Sequence, residues 1–487
     1  MNSELAQTDD ATVIAVDLDG SLVLTDTLHE ATICLLRDAP IRMLMLPFWL
    51  LKGKAALKAK LMQHVQIDVT TLPYNSQVID WLVKERTAGR KIVLCTASDV
   101  RIASAVSNHL GLFDDVIASD GITNKACKNK RAALDDAFGK NSWDYAGNSR
   151  ADLAVWSGAR QAIVVNAKDS IVQEAARVSS VVKIFPAQSI TTSHLRKMLR
   201  VHQWLKNLLL FVPLLAAHQI DNIQSLLTLL VAFVAFSLCA SAVYIANDLI
   251  DLESDRKHPR KCNRPFASAA IPIKAGVAFV PLLTIAGLTL GWVVGSDFFV
   301  WLVVYFLVTC AYSLWLKRLV LIDCLTLAAL YTLRIIAGAA AVAVSLSFWL
   351  LAFSVFIFLS LAFVKRYAEL QVQAGAGNSH VHGRGYAVTD APLVKTLGIT
   401  AGYAAVLVLA LYLHGETVAT LYQQPELIWA TVPFMLFWVS WVWMKAHRGQ
   451  MHDDPIVFAI KDRASLAVAA LIAVSFVLAT IGIGVSS

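Results

Sequence analysis

Charge is scarce in this sequence: of 487 residues 16% are Asp, Glu, Lys or Arg and 57% are hydrophobic, which excludes a chain that is water-soluble along its whole length. Paired cysteines are lacking as well. The seven, Cys34, Cys95, Cys127, Cys239, Cys262, Cys310 and Cys324, contain no C-x-x-C and are scattered over both halves, so neither a zinc site nor a disulfide framework is expected. No basic stripe with interleaved aromatics occurs, so the net charge of +7 points to anionic membrane headgroups and not to nucleic acid. The opening MNSELAQTDDATVIAVDLDG lacks the basic start and apolar core of a secretory signal, so the first domain is expected to stay on the side where it is made. Long apolar runs are missing before about residue 190 and frequent after it. Composition therefore divides the chain into a soluble part, residues 1–189, a basic juxtamembrane linker, 190–202, and a membrane part, 203–487.

In the soluble part, short apolar runs at Thr12–Asp17, Lys91–Thr96, Asp115–Ser119, Trp143–Gly147 and Gln161–Val165 alternate with helical stretches, which predicts a parallel sheet covered by helices. The ligand crevice of such a sheet lies beyond the carboxyl ends of its strands. Polar residues collect there: Asp17 and Asp19, Thr96 and Ser98, Asn148 and Asp152. Two residues apart at a strand end, Asp17 and Asp19 share a side. The ordered set DLDGSL (Asp17–Leu22), CTAS (Cys95–Ser98), a downstream lysine and AGNSRAD (Ala146–Asp152) resembles the haloacid dehalogenase (HAD) phosphohydrolases. That resemblance implies a Rossmannoid α/β fold with Asp17 as the nucleophile on phosphorus and Asp19 as the acid for the leaving oxygen. It further implies Thr96, or else Ser98, on the phosphoryl oxygens, Lys130, or else Lys125, as the neutralising cation, and Mg2+ held by Asp17, the Asp19 carbonyl, Asn148 and Asp152. Asn148 stands where the family has aspartate and brings no charge to a metal. An active phosphatase and a degenerate binding or scaffolding domain both stay open.

The insertion Thr27–Asn75 is expected to form a helical cap. Its stretch RMLMLPFWLLKGKAALKAKLMQ, Arg42–Gln63, breaks at Pro47 and becomes lysine-rich, whereas a span needs roughly 20 apolar residues. It suits an interfacial helix, a cap over the site, or both.

Nine apolar segments follow: Gln203–Ala217, Ile223–Ala246, Pro272–Val294, Phe298–Trp315, Asp323–Val342, Ser347–Val364, Ala391–Leu413, Leu427–Met444 and Leu466–Val485. Loops near His218, Ser296, Ser345 and His414–Glu426 carry no lysine or arginine, while the alternate loops are rich in both. The rich loops are expected in the cytoplasm. This places the soluble domain on the cytoplasmic side of the cell membrane and the C-terminus on the other.

At the end of the second segment stands NDLIDLESDRKHPRKCNRPFAS, Asn247–Ser268. Asp248, Asp251 and Asp255 recur at helical spacing on one face, with Arg256, Lys257, Arg260, Lys261 and Arg264 after them; the pattern presents carboxylates for Mg2+ and donors for phosphate. This NDxxDxxxD motif before RxxRPxxS, with nine spans, resembles the UbiA superfamily of intramembrane transferases. The resemblance implies an all-α polytopic domain in which Asn247, Asp248, Asp251 and Asp255 hold Mg2+ and a diphosphate, with Asp248 and Asp251 essential and Arg264 beside them.

Aromatic prenyltransferases of that superfamily carry a second aspartate motif between spans six and seven. Here the loop KRYAELQVQAGAGNSHVHGRGY, Lys365–Tyr386, has Glu369 but no aspartate. Together with YSLWLKRLVLIDCLTLAALYTLRIIAGA, Tyr312–Ala339, and DPIVFAIKDR, Asp454–Arg463, it resembles the branch containing decaprenyl-phosphate phosphoribosyltransferase, which joins phosphoribose from phosphoribosyl pyrophosphate (PRPP) to a polyprenyl phosphate. The resemblance implies PRPP and a polyprenyl phosphate, or in the prenyltransferase alternative a polyprenyl diphosphate, as partners. Lys317, Arg318, Lys365 and Arg366 are expected around the phosphates, with Tyr312, Asp323 and Arg334 lining the site. Arg334 lies inside a span, where a lone cation is expensive. Asp454 and Asp462 are expected to share a face or to pair with Lys461 and Arg463. A homo-oligomer stays open.

Overall fold

A computed structural model describes residues 12–219, 221–377, 379–380, 384–415, 422–451 and 454–481. Two compact units divide the chain: Met1–Leu199 with Tyr244–Pro281, and Arg200–Val243 with Leu282–Ser487.

The first unit is built on six parallel strands, β1 (Val13–Val16), β2 (Ile92–Asp99), β3 (Asp115–Ser119), β4 (Trp143–Gly147), β5 (Gln161–Ala167) and β6 (Ser180–Pro186), in the order β3-β2-β1-β4-β5-β6. Every residue of β1 is buried, because helices cover both faces of the sheet. Ile14 and Val16 enter one core with Leu94 and Ile163; Val13 and Ala15 enter the other with Trp143, Tyr145 and Trp156. This is the HAD-like, doubly wound arrangement. The strand order reverses at β1, flanked by β2 and β4, so the residues after these three strands meet at the switch point. Five strands coincide with the expected runs. The sixth, SVVKIFP, is an edge strand with only Phe185 buried, and without a buried face it lacks the alternation that marks a strand in sequence.

The insertion is helical. Helix α1 (Thr27–Asp38) starts at Asp26, whose carboxylate accepts from the Leu28 and His29 amides. The stretch Arg42–Gln63, expected to break at Pro47, is divided instead between Pro40–Leu51 and Lys54–His64, because the chain turns at Gly53 with φ +102° while Pro47 sits in the first turn of a helix, where its missing amide costs nothing. Trp49 and Leu61 pack back on Ala31 and Leu35 of α1. Ile41, Leu44, Phe48 and Leu51 stay 61–85% exposed, an apolar face of the interfacial kind.

Among the described residues eight helices are long and apolar enough to cross a membrane: Ile223–Ile250, Ile273–Val294, Ser296–Leu314, Ile322–Ala341, Phe348–Gly375, Val388–Leu413, Pro425–His447 and Arg463–Ile481. The first of the nine expected spans is shorter, a 3-10 stretch Val201–Phe211 running into the α-helix Val212–Ala216, and it buries Lys206 and Asn207. Those polar residues need partners inside the protein, which makes this segment a lining element and not a lipid-facing rod. A Cβ on Gly338 would overlap the Leu210 backbone, so the glycine is what lets this segment press against Ile322–Ala341. The end of the last expected span, Val485, lies outside the described residues.

Candidate active sites

At the switch point Asp17 is buried, and the Lys130 ammonium donates to its Oδ1 at 2.8 Å and to the Tyr145 hydroxyl at 2.7 Å. Tyr145 in turn donates to Asp152 Oδ1 at 2.9 Å. Lys130, and not Lys125, is the cation paired with Asp17. Asp19 accepts from the Thr27 amide at 2.8 Å and from the Ser98 hydroxyl at 2.5 Å. Thr96 lies beneath, its Oγ accepting from the Ser98 amide. Gly20 has φ +75°, and a Cβ there would overlap the Asn148 amide, so Asn148 covers the loop that carries both aspartates.

Asp152, expected as a metal ligand, is placed in the turn after β4. One oxygen takes Tyr145 and the other takes the Asn148 amide, the Ser149 amide and the Ser149 hydroxyl, so this carboxylate holds the turn. The oxygens of Asp17, Asp19 and Asn148 remain as hard donors that suit Mg2+ chemically. Among the described residues no group of three or more His, Cys, Asp or Glu converges as a metal cage, at this site or elsewhere.

Burial pushes the Asp17 carboxyl up to about 7, against the opposing pull of Lys130 and with a further push from Asp152. A raised carboxyl keeps its proton below that value, and a divalent ion must displace it. Apparent Mg2+ affinity in a phosphatase assay should therefore rise about tenfold per pH unit below pH 7 and level off above it. A flat profile between pH 5.5 and 8 would show that Asp17 is not the group displaced.

In the same unit the second polar cluster forms where Ile223–Ile250 ends. Asp251 interrupts the helix (φ −90°, ψ 11°) before the turn Leu252–Lys257, although its amide still bonds to the Asn247 carbonyl at 2.9 Å and its carbonyl accepts from the Asp255 amide at 2.8 Å. Of the three carboxylates expected on one face, Asp248 and Asp255 share one guanidinium. Arg264 Nη1 lies 3.0 Å from Asp248 Oδ1 and 2.5 Å from Asp255 Oδ2. Asp255 Oδ1 is buried with no hydrogen-bond partner among the described residues, and burial raises this carboxyl above its ordinary value against the pull of Arg264. Two aspartates around one cation position, with an orphaned oxygen beside it, fit Mg2+ by their donor chemistry.

The basic residues of the second unit divide into separate clusters. Lys365 and Arg366 were expected together around phosphate, but consecutive helix positions point about 100° apart and they diverge. Lys365 lies 3.4 Å from Asp454 Oδ2, and Lys206 lies 2.6 Å from the same oxygen. Burial pushes the Asp454 carboxyl up, but those two ammonium groups outweigh it and hold the group well below the usual carboxylate range. Arg366 is fully buried, 2.6 Å from Asp323 and paired with Glu369. Arg384, on the following loop, also reaches Asp323, Glu369 and the Tyr312 hydroxyl, and Tyr386 donates to Asp323 at 2.7 Å. Asp323→Ala would leave Glu369 as the remaining carboxylate for both Arg366 and Arg384, a loss of about 3 kcal/mol read as a lowered unfolding temperature in detergent; a parent-like melt would show that Glu369 alone neutralises the cluster.

Other expectations are redirected. Arg334 meets neutral groups, the Asn207 amide oxygen at 2.9 Å, the Leu330 carbonyl and the Tyr305 hydroxyl at 3.0 Å, and no carboxylate among the described contacts. Asp462 does not join Asp454: it caps the last helix through Ser465 and accepts from Trp441. Lys317 and Arg318 sit on the turn Leu316–Arg318, with Arg318 exposed. Tyr145, Lys206, Arg384 and Tyr386 were missed in sequence. The one available signal was Lys206, a lone charge in the apolar run WLKNLLL that passes for juxtamembrane basicity.

Residues 208–461 match the UbiA prenyltransferase family. The chain is 36% identical over 468 residues to the uncharacterized protein y4nM of Sinorhizobium fredii, covering 95% of this chain and 90% of the relative. Against the decaprenyl-phosphate phosphoribosyltransferase of Mycolicibacterium smegmatis it is 36% identical over 189 residues, 38% of this chain and 59% of that enzyme, less than two thirds of its length. A solved UbiA homolog from Archaeoglobus fulgidus bound to GPP and Mg2+ aligns with 58% of this chain and 99% of its own at 14% identity and a TM-score of 0.46.

Proposed function

Since this chain belongs to the UbiA prenyltransferase family and is thus an integral membrane transferase, we propose that it moves 5-phosphoribose from PRPP to a polyprenyl phosphate, and that its HAD-like unit removes the 5-phosphate from the product. One observation carries the choice of donor. Glu369, the carboxylate that stands in the loop where a second aspartate motif would be needed, is spent on Arg366 and Arg384. Among the described residues one carboxylate site, Asp248 with Asp255, suits a donor with one diphosphate, while Lys365, the most exposed of the cations paired with Asp454 and Asp323, is the one open to a monophosphate. The similarity to the phosphoribosyltransferase supports the same reading.

Asp248, Asp255 and Arg264 bind and orient the donor's diphosphate, with Asp251 at the break beside them. A lipid-phosphate oxygen forms a bond to ribose C1 as the bond from C1 to pyrophosphate breaks. Mg2+ held by the aspartates would supply the charge that makes pyrophosphate a good leaving group. In the HAD-like unit the Asp17 carboxylate attacks phosphorus, Asp19 gives its proton to the departing ribose O5, and water then releases phosphate from Asp17. Lys130 holds Asp17 in place, and Asn148 covers the loop. The exposed apolar face at Ile41, Leu44, Phe48 and Leu51 suits a phosphatase that works on a lipid at the cytoplasmic surface, the side assigned by the basic loops.

The test incubates the purified full chain in detergent with Mg2+, polyprenyl phosphate and carbon-14-labelled PRPP and follows label into the organic phase. Label in the lipid is the expected result. No transfer at several chain lengths, with turnover of a prenyl diphosphate and an aromatic acceptor, would overturn it in favour of prenyl transfer.

A further inference from the structure

The turn Leu252–Lys257 carries Asp255 of the carboxylate cluster, and its other polar residues face the HAD-like part of the same unit. Arg256 is clamped by Glu30 of α1, Nη2 to Oε1 at 2.6 Å and Nη1 to Oε2 at 3.2 Å, with both side chains less than a tenth exposed. Its Nε donates to the Ala267 carbonyl at 3.1 Å. Arg256 thereby ties the turn to the loop that supplies Arg264, the residue gripping Asp248 and Asp255. Around this buried pair lie two more exposed ones of complementary sign, Arg37 with Glu253 at 2.8 Å and Lys257 with Asp68 at 2.9 Å.

We propose that Glu30 is a positioning residue for the transferase: the HAD-like part docks its α1 on the carboxylate turn, and the Glu30 carboxylate holds Arg256 so that Asp255 and Arg264 keep their relative place. The inference rests on the transferase reading of the carboxylate cluster. A buried bidentate pair has one low-energy geometry, whereas an arginine deprived of its carboxylate must leave the interior or find another anion. Glu253 and Asp68, which line the same cavity as Arg256 and Glu30, are the carboxylates at hand, so loss of Glu30 lets Arg256 shift and frees the turn that carries Asp255. Helix α1 also begins at the phosphatase site, where its Thr27 amide caps Asp19, so one rigid helix serves both centres.

In the full chain, Glu30→Gln should raise KM for PRPP and half-saturating Mg2+ about tenfold, the effect of losing one charge-assisted pair, with turnover of p-nitrophenyl phosphate by the HAD-like unit within about twofold of the parent. Glu30→Arg and Arg256→Glu should each be worse than Glu30→Gln, and the double exchange should recover most of the loss, which simple destabilisation would not do. Unchanged KM and Mg2+ dependence in Glu30→Gln, or no recovery in the exchange, overturns the proposal. If the parent itself does not transfer from PRPP, the functional reading fails separately. The positioning is then read from protection against unfolding by Mg2+ and inorganic pyrophosphate, counting only the part that Asp248→Ala loses. About tenfold weaker binding in Glu30→Gln supports it, and equal binding overturns it.

Discussion

Asp248→Ala should lower transfer of labelled phosphoribose to lipid at least about 100-fold, with the protein still recovered from membranes and still eluting as the parent does in detergent. The size follows from where the carboxylate lies. Asp248 is 2% exposed and shares the Arg264 guanidinium with Asp255, so its removal takes away one of the two oxygens aimed at the cation position. Preorganised charge at a departing group contributes several kcal/mol in a site shielded from water. Insertion depends on hydrophobic length, which a change at the end of Ile223–Ile250 leaves intact. Transfer within about tenfold of the parent in Asp248→Ala would remove this cluster from the reaction.

The second large effect is expected from Asp17→Asn. The parent should yield lipid-linked ribose without its 5-phosphate, and the variant should accumulate the 5-phosphorylated lipid, with phosphatase turnover down at least about 1,000-fold, as for the loss of a nucleophile. An amide is nearly isosteric and keeps an oxygen for the Lys130 ammonium, so Tyr145, Asp152 and the turn they hold stay in place. Transfer itself should be unchanged, because the contacts of Asp17 among the described residues are with Lys130 and the strand-end backbone. Identical products from parent and variant would leave the HAD-like unit as a docking module only, a role that its contacts with Arg256, Glu253 and Lys257 sustain without chemistry.

Much of this was legible before any coordinates. Strand-end spacing put Asp17 and Asp19 on one side, and the i, i+3 and i+7 relation of Asp248, Asp251 and Asp255 put three carboxylates on one helical face, of which Asp248 and Asp255 share Arg264. Both arise from the local periodicity of the backbone. The same reasoning failed at Lys365 and Arg366, which share a motif but not a direction, and at Asp462, which is a helix cap. Nor could it show that the Asp152 oxygens hold the turn they close.

The sequence by itself determined the architecture, because apolar runs, strand-length alternation and loop charge are summed local quantities that the bilayer and the sheet read directly. Only the tertiary structure decided partners. Lys206 finds Asp454 across 248 positions, Lys130 finds Asp17 across 113, and Glu30 finds Arg256 across 226. Such pairings depend on which helices pack and how each is rotated, and a buried charge accepts whatever opposite charge that packing brings within reach. No spacing along the chain encodes the choice.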